Sequence, residues 1–100
     1  MKAIRSSARI CGKIHMAERA HIAQGCVVRS EDEAVRIGAD SALLENSVLI
    51  GTKNHPADIG AKTIFGHKCL ILGASIGNLC EIGNGTIFLP GAKVGDRCIT

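Results

Sequence analysis

Large aliphatic side chains return every six residues along much of the chain. The clearest series lies in the C-terminal third and reads Ile76, Ile82, Phe88, Val94 and Thr100. Four residues after each of the first four stands a small residue, in the order Cys80, Thr86, Ala92 and Cys98. Neither the 3.6-residue period of an α-helix nor the alternation of a half-buried strand accounts for this phasing. A sustained period of six is typical of a solenoid built from short repeats.

The same pattern runs upstream in three further series. They are Ile10, Met16, Ile22 and Val28; Ile37, Leu43 and Leu49; and Ile59, Phe65 and Ile71. The gaps between them predict corner loops at about residues 29–36 and 51–58, and the step from Ile71 to Ile76 is one residue short. In solenoids such insertions often lie on the functional face.

Each six-residue unit is expected to form a short strand followed by a turn. The aliphatic residue points into a narrow core, and the small residue occupies the corner, where a larger side chain would clash. Three units complete a triangular coil of about 18 residues, and coils stack through parallel hydrogen bonds. We predict an all-β protein, a single-stranded parallel β-helix of about five coils. It forms one domain over residues 1–100, with repeats from about residue 10.

The composition agrees with a narrow core. Hydrophobic residues make up 46% of the chain, yet the only aromatic residues are two Phe. A net charge of +3 with scattered basic residues argues against nucleic-acid binding. No apolar run approaches the ~20 residues of a membrane helix, and the basic N-terminal stretch lacks the apolar centre of a secretory signal. We therefore expect a cytoplasmic protein with no membrane or nucleic-acid partner.

Five cysteines raise the question of a metal or redox site. Cys26, Cys69, Cys80 and Cys98 all take the small inward position of the repeat, and Cys11 is expected to point outward. No two cysteines have C-x-x-C spacing, and an odd count disfavours a disulfide framework. The inward cysteines are predicted to be small hydrophobic residues of the core.

The irregularities of the repeat resemble those of the gamma-class carbonic anhydrase family. Residues 28–31 (VRSE) are similar to that family's aliphatic-Arg-Gly/Ser-Asp segment, and residues 45–49 (ENSVL) to the strand before its first metal ligand. Residues 65–68 (FGHK) match its aliphatic-Gly-His-Lys motif, and residues 72–77 (LGASIG) the segment that follows. The resemblance spans about residues 10–100.

The resemblance implies a left-handed β-helix and a trimer with a metal ion at each subunit interface. Three His hold that metal, usually zinc, and an open position holds the attacking water. On this chain the three ligand positions fall on Ile50, His67 and Leu72, and the family's active-site Gln falls on Leu44. His67 is thus the one retained ligand, and one imidazole does not hold a catalytic metal. We therefore expect no bound cofactor, with zinc or another divalent metal as the alternative.

Other residues are candidates for subunit contacts. The resemblance implies that Arg29 and Glu31 help to join the subunits, with His67 and the loop residue His55 at the same interface. His55 is also the one residue from which a metal site with His67 could be rebuilt. His15 and His21 are expected on the surface.

Three functions remain open at this stage. The first is a trimeric binding or assembly module without carbonic anhydrase activity. The second is an acyltransferase of the hexapeptide class that uses an acyl-CoA donor, with His67 or His55 as general base. The third is a carbonic anhydrase-like metalloenzyme with an altered metal site. The sequence stops in mid-repeat at Thr100, so we expect the family's C-terminal helix to be lacking and the last coil to promote association, as a trimer or a higher assembly.

Overall fold

A computed structural model of the chain describes residues 3–31 and 33–100. These residues form short parallel strands and no helix. The strands in chain order are β1 (Ala3–Ile4), β2 (Arg9–Cys11), β3 (Ile14–Met16), β4 (His21–Ile22), β5 (Val27–Ser30), β6 (Val35–Ile37), β7 (Ala42–Leu43), β8 (Val48–Gly51), β9 (Ala57–Ile59), β10 (Ile64–Phe65), β11 (Leu70–Leu72), β12 (Ser75–Ile76), β13 (Glu81–Ile82), β14 (Ile87–Phe88) and β15 (Lys93–Val94). No helix in this part of the chain could therefore span a membrane.

Successive strands belong to successive sheets, which is the defining feature of a β-helix. Sheet A contains β1, β4, β7, β10 and β13; sheet B contains β2, β5, β8, β11 and β14; sheet C contains β3, β6, β9, β12 and β15. All the strand pairs are parallel. Three strands therefore make one coil, and five coils stack, which confirms the predicted all-β solenoid.

The boundaries differ from the prediction in two respects. Strand pairing begins at β1, so the solenoid starts before residue 10. The two loops are also shorter than predicted, because β5 continues to Ser30 and β6 begins at Val35, while β8 ends at Gly51 and β9 begins at Ala57. Backbone pairing with the neighbouring coils keeps these flanking residues extended. Asp32, within the first predicted loop, lies outside the described residues.

From Ile22 to Phe88 the periodic aliphatic and aromatic residues fill the interior as predicted, whereas Ile10, in the first coil, is 39% exposed. Ile22, Val28, Leu49 and Ile71 are fully buried, and equivalent residues stack from coil to coil. The rings of Phe65 and Phe88 meet edge to face, with centroids 6.4 Å apart. The narrow core therefore holds one aromatic ring from each of two neighbouring coils, packed edge to face.

The Ser, Thr and Cys residues at several inward corners are hydrogen-bond donors as well as space-fillers, a role that the prediction from size alone missed. Six such pairs join one coil to the next, with the hydroxyl or thiol hydrogen donated to a backbone carbonyl. The pairs are Cys26 to Leu44 (3.1 Å), Ser41 to Gly60 (2.6 Å), Ser47 to Gly66 (3.1 Å), Thr63 to Gly77 (2.7 Å), Cys69 to Gly83 (3.2 Å) and Cys80 to Gly95 (3.1 Å). Ser, Thr and Cys share this position because each is small and carries a donor.

The turns between strands use left-handed backbone at their second residue. Most of these positions hold Gly, Asn or charged residues, but Leu79 also has φ of 60°. Side-chain oxygens tie the turns of neighbouring coils together: Asn78 accepts from the Ala61 amide and Asn84 from the His67 amide, each at 2.8 Å. The turns therefore stack in the same register as the strands.

Removing a corner hydroxyl should destabilise the stack. Ser41 donates to the Gly60 carbonyl and accepts from the Thr63 amide at 3.0 Å; Ser41 and Thr63 are buried, and Gly60 is half-buried. We expect Ser41→Ala to lower the free energy of unfolding by about 1–3 kcal/mol, because it leaves two backbone groups unpaired. Urea denaturation measures the change. Ser75→Ala, which removes an outward hydroxyl, is the control and should change stability by less than about 0.5 kcal/mol. Equal stability of the two variants would contradict this role for Ser41.

Candidate functional site

The outward face of sheet B carries two rows of mostly apolar side chains. The first row is Arg9, Val27, Val48, Leu70 and Ile87, aligned by the pairing of successive strands. The second row is Cys11, Arg29, Ile50 and Leu72, and Leu89 extends it one residue beyond β14. Ile87 and Leu89 are 61% and 65% exposed. A contiguous exposed apolar surface of this kind marks an interaction site.

The two aliphatic residues at predicted ligand positions are direct neighbours. Ile50 and Leu72 are the third residues of β8 and β11, and they pair in register. Both are half-buried and lie in the second row of sheet B. The fold therefore preserves the placement that the resemblance implies for two ligands, while the side chains themselves offer no donor atom.

His67 lies at the other end of the same strands, in the turn that precedes β11. Its Nδ1 is 3.0 Å from Oε1 of Glu45, and both side chains are about half exposed, 51% and 48%. Since a carboxylate only accepts, Nδ1 carries the proton in this pair and Nε2 is left free to accept a hydrogen bond or bind a metal. A carboxylate behind the imidazole is the arrangement that orients metal-binding histidines. His67 is thus oriented like a ligand.

The surrounding residues nevertheless do not fit a metal. A catalytic zinc site requires three protein ligands, and two of the three expected positions are aliphatic. No group of three or more His, Cys, Asp or Glu side chains in the described residues is placed to hold an ion. Desolvating an ion against Ile50 and Leu72 would cost free energy without compensating bonds. Of the three implied ligand positions, only His67 therefore offers an atom that can bind a metal.

Arg29 is the polar member of the second row. It pairs in register with Cys11 on one side and Ile50 on the other. Its Nη2 lies 3.8 Å from Oε2 of Glu31, and both side chains are 50% exposed. Such an exposed, long ion pair contributes little stability. The guanidinium is therefore available to a group from outside the chain.

His55 does not join His67. The hairpin that contains His55 closes over Gly73, the residue after β11, whereas His67 precedes that strand. Within one chain, the strand therefore separates the two imidazoles. His15 is exposed on sheet C and His21 is half-buried on sheet A, as expected for outward positions.

Glu45 is the site residue that sequence reasoning missed. It lies one coil before His67 at the same position of the turn, as the pairing of Leu49 with Ile71 shows. Aligning the two coils by this 22-residue step would have found it. Residue type alone does not distinguish Glu45, because a single carboxylate in a turn looks like an ordinary solvated residue.

Comparison with known proteins is consistent with this architecture. No family model matches the chain. A 94-residue stretch is 29% identical to gamma carbonic anhydrase 1, mitochondrial, of Arabidopsis thaliana, covering 88% of this chain and 34% of that protein. A 93-residue stretch is 32% identical to Protein YrdA of Escherichia coli, covering 86% of this chain and 50% of that protein. The chain is a hexapeptide-repeat protein whose homologues include gamma carbonic anhydrase.

The fold of this gamma carbonic anhydrase homologue also matches a solved structure. A hexapeptide transferase family protein from Anaplasma phagocytophilum superposes with a TM-score of 0.66 over 95% of this chain and 70% of that chain, at 18% identity. That likeness supports the left-handed β-helix and nothing finer. The chain spans half or less of the length of the curated relatives it matches.

The cysteines of this homologue should divide into two reactivity classes. All five are free, Cys11 is exposed, and Cys26, Cys69 and Cys80 are buried. Burial raises the pKa of the Cys26 thiol, which lowers its thiolate fraction. We expect Cys11 to react with a maleimide at least about 100-fold faster than the buried three, which must wait for local opening. Mass spectrometry of timed samples measures the rates. Fast labelling of Cys69 in folded protein would contradict its corner position.

Proposed function

We propose that this protein is a gamma carbonic anhydrase homologue without carbonic anhydrase activity that acts as a trimeric binding or assembly module. The observation that carries the proposal is the register pairing of Ile50 with Leu72, where two metal ligands are implied. His67 alone cannot hold a catalytic zinc, since the ion needs three protein ligands and one water. No cofactor is therefore required, and we place the module in the cytoplasm.

Restoring the missing ligands tests this proposal. As purified, the chain should contain well under one zinc per subunit and should not accelerate CO2 hydration. The double variant Ile50→His with Leu72→His should take up close to one zinc per subunit, because in the trimer the paired positions of one subunit and the oriented His67 of a neighbouring subunit would complete a three-histidine set. Metal analysis and stopped-flow CO2 hydration are the measurements.

Two controls make the result specific. Ile50→Asn with Leu72→Asn changes the same positions to polar residues without imidazoles and should stay free of zinc. Adding His67→Ala to the two-histidine variant should reduce its zinc content several-fold, since the set falls to two ligands. Stoichiometric zinc and CO2 hydration in the unchanged chain, both abolished by His67→Ala, would refute the proposal.

The trimer is expected to form through sheet B. Its two outward rows are apolar from β8 to β14, whereas the outward residues of sheet C are His15, Arg36, Asp58, Ser75 and Lys93. Burying apolar side chains is favourable by about 25 cal/mol per Å². A threefold assembly through sheet B would place Arg29 beside apolar residues of the interface. Arg is enriched at protein interfaces. The resemblance to gamma carbonic anhydrases favours three subunits over two.

Charged substitutions on sheet B should therefore dissociate the assembly. We expect sedimentation at micromolar concentration to give a trimer for the unchanged chain. The double variant Ile87→Lys with Leu89→Lys should raise the dissociation constant of the trimer at least about tenfold. Ile64→Lys is the matched control because Ile64 is an exposed apolar residue of sheet A, 46% accessible. Dissociation by Ile64→Lys, or a monomeric unchanged chain, would contradict assembly through sheet B.

The acyltransferase alternative remains a prediction. Acetyl-CoA should raise the melting temperature if a donor site exists, because a ligand that binds only the folded state stabilises it. No shift at high acetyl-CoA concentration would count against this alternative.

A further inference from the structure

A small cavity lies beside sheet C, away from the outward face of sheet B. Its volume is about 150 Å³, and it is lined by His55, Pro56, Gly73, Ser75, Gly91, Ala92 and Lys93. One wall is the hairpin between β8 and β9, and the floor is formed by the first residues of β12 and β15 and the residues just before them. The space suits a chemical group of a few heavy atoms.

Two glycines allow the hairpin to form this wall. Thr52 and His55 close the hairpin through two backbone hydrogen bonds of 3.0 and 3.3 Å. A Cβ at Gly73 would lie 2.5 Å from Oγ1 of Thr52 and 2.7 Å from the His55 carbonyl oxygen, so a side chain there would push the hairpin away. A Cβ at Gly91 would lie 3.3 Å from Cε1 of His55. The imidazole is therefore packed against bare backbone at the cavity edge.

Three polar side chains that line the cavity have no partner among the residues that the structure describes. Within residues 3–31 and 33–100, no hydrogen bond or ion pair involves the His55 imidazole, the Ser75 hydroxyl or the Lys93 ammonium. Ser75 and Lys93 are register neighbours on β12 and β15, so their side chains project side by side. The backbone amides nearby are already used, Ser75 N by Ala92 and Gly91 N by Gly73, each at 2.9 Å. Any ligand would therefore be held by the side chains.

The chemistry of these groups selects an anion. Lysine supplies a positive charge and three donors, serine a hydroxyl donor and histidine a ring N–H. Asp58 is an opposing charge on the same face, since it pairs with Ser75 on the side away from Lys93. Asp58 lies on β9 and Lys93 on β15, with β12 between them, so their backbones are about 9–10 Å apart across the sheet. The Asp58 carboxylate therefore lowers the affinity for an anion bound near Ser75, but it is too far from Lys93 to neutralise the ammonium.

We propose that the cavity formed by His55, Ser75 and Lys93 binds a small oxyanion, namely a phosphate group or a carboxylate. The Lys93 ammonium provides the charge, the Ser75 hydroxyl donates a second hydrogen bond, and the His55 ring closes the hairpin side. Charge-assisted hydrogen bonds of this type are the strong ones. This inference does not depend on the proposed function, because the cavity shares no residue with the Ile50–Leu72 pair.

Binding of inorganic phosphate and of acetate tests the site and separates its two ligand sources. Histidine resonances in NMR spectra should respond, and we expect saturable shifts of His55 with at least one of the two anions. Tighter binding of phosphate would identify a phosphate group, and tighter binding of acetate a carboxylate. Lys93→Ala and Ser75→Ala should each weaken binding at least about fivefold. Asp58→Asn should strengthen it several-fold by removing the opposing charge.

Matched variants distinguish this site from general electrostatic attraction. Arg36→Ala removes one positive charge from the same outward row of sheet C and should change affinity less than about twofold, because it lies three strands from Lys93. His15→Ala should leave the His55 shifts unchanged. Circular dichroism should show unaltered folding, since all these side chains face outward. Absence of saturable shifts with both anions, or equal weakening by Arg36→Ala and Lys93→Ala, would overturn the proposal.

Discussion

The structure depends on the inward corners of the repeats, where small Ser, Thr and Cys side chains donate hydrogen bonds to the next coil. A parallel stack must satisfy its backbone groups between coils, because consecutive strands lie in different sheets and cannot pair with each other. At the corners the backbone turns away from this ladder. Ser41, Ser47 and Thr63 supply the missing partners there, and the hydroxyls of Ser41 and Ser47 both donate and accept. A side chain too large for the corner would disturb the stack, whereas Ala20 and Ala92 show that a donor is not required at every corner.

That register also explains why the fold does not depend on the side chains at positions 50 and 72. Ile50 and Leu72 project outward, so their identity is independent of the core, and their backbone pairing is the same as for any strand residue. Inward residues are constrained by packing, whereas outward ones are constrained only by what they contact outside the coil. The ligand positions can therefore change to aliphatic residues while Glu45 still holds His67 one coil away. A fold that separates core from surface so completely keeps positions 50 and 72 paired in register whatever side chains they carry.

The repeat made most of the fold predictable from sequence. A six-residue period specifies which side chains are inward and which positions are corners, so the buried aliphatic residues and Cys26, Cys69 and Cys80 were placed correctly. The loop bounds were less accurate, because pairing with adjacent coils extends β5 and β8 beyond the last periodic residue. The donor role of the corner residues was missed because Ser, Thr, Cys and Ala look alike on a scale of size. Contacts across coils, such as Glu45 with His67, need the exact register, and one-residue slips in the repeat obscure it.

The three outward faces of the triangular coil are chemically different. The difference follows from the outward residue that each strand contributes to the row on its face. On sheet B the positions that follow Arg29 are Ile50, Leu72 and Leu89, so a single row changes from polar to apolar along the helix axis. On sheet C the row stays polar, and the hairpin packed on Gly73 and Gly91 adds a wall that no flat face provides. An apolar flat face favours contact with a large complementary surface, whereas a walled polar recess favours a small charged ligand. Association and ligand binding can thus occupy separate faces of one short solenoid without competing for the same residues.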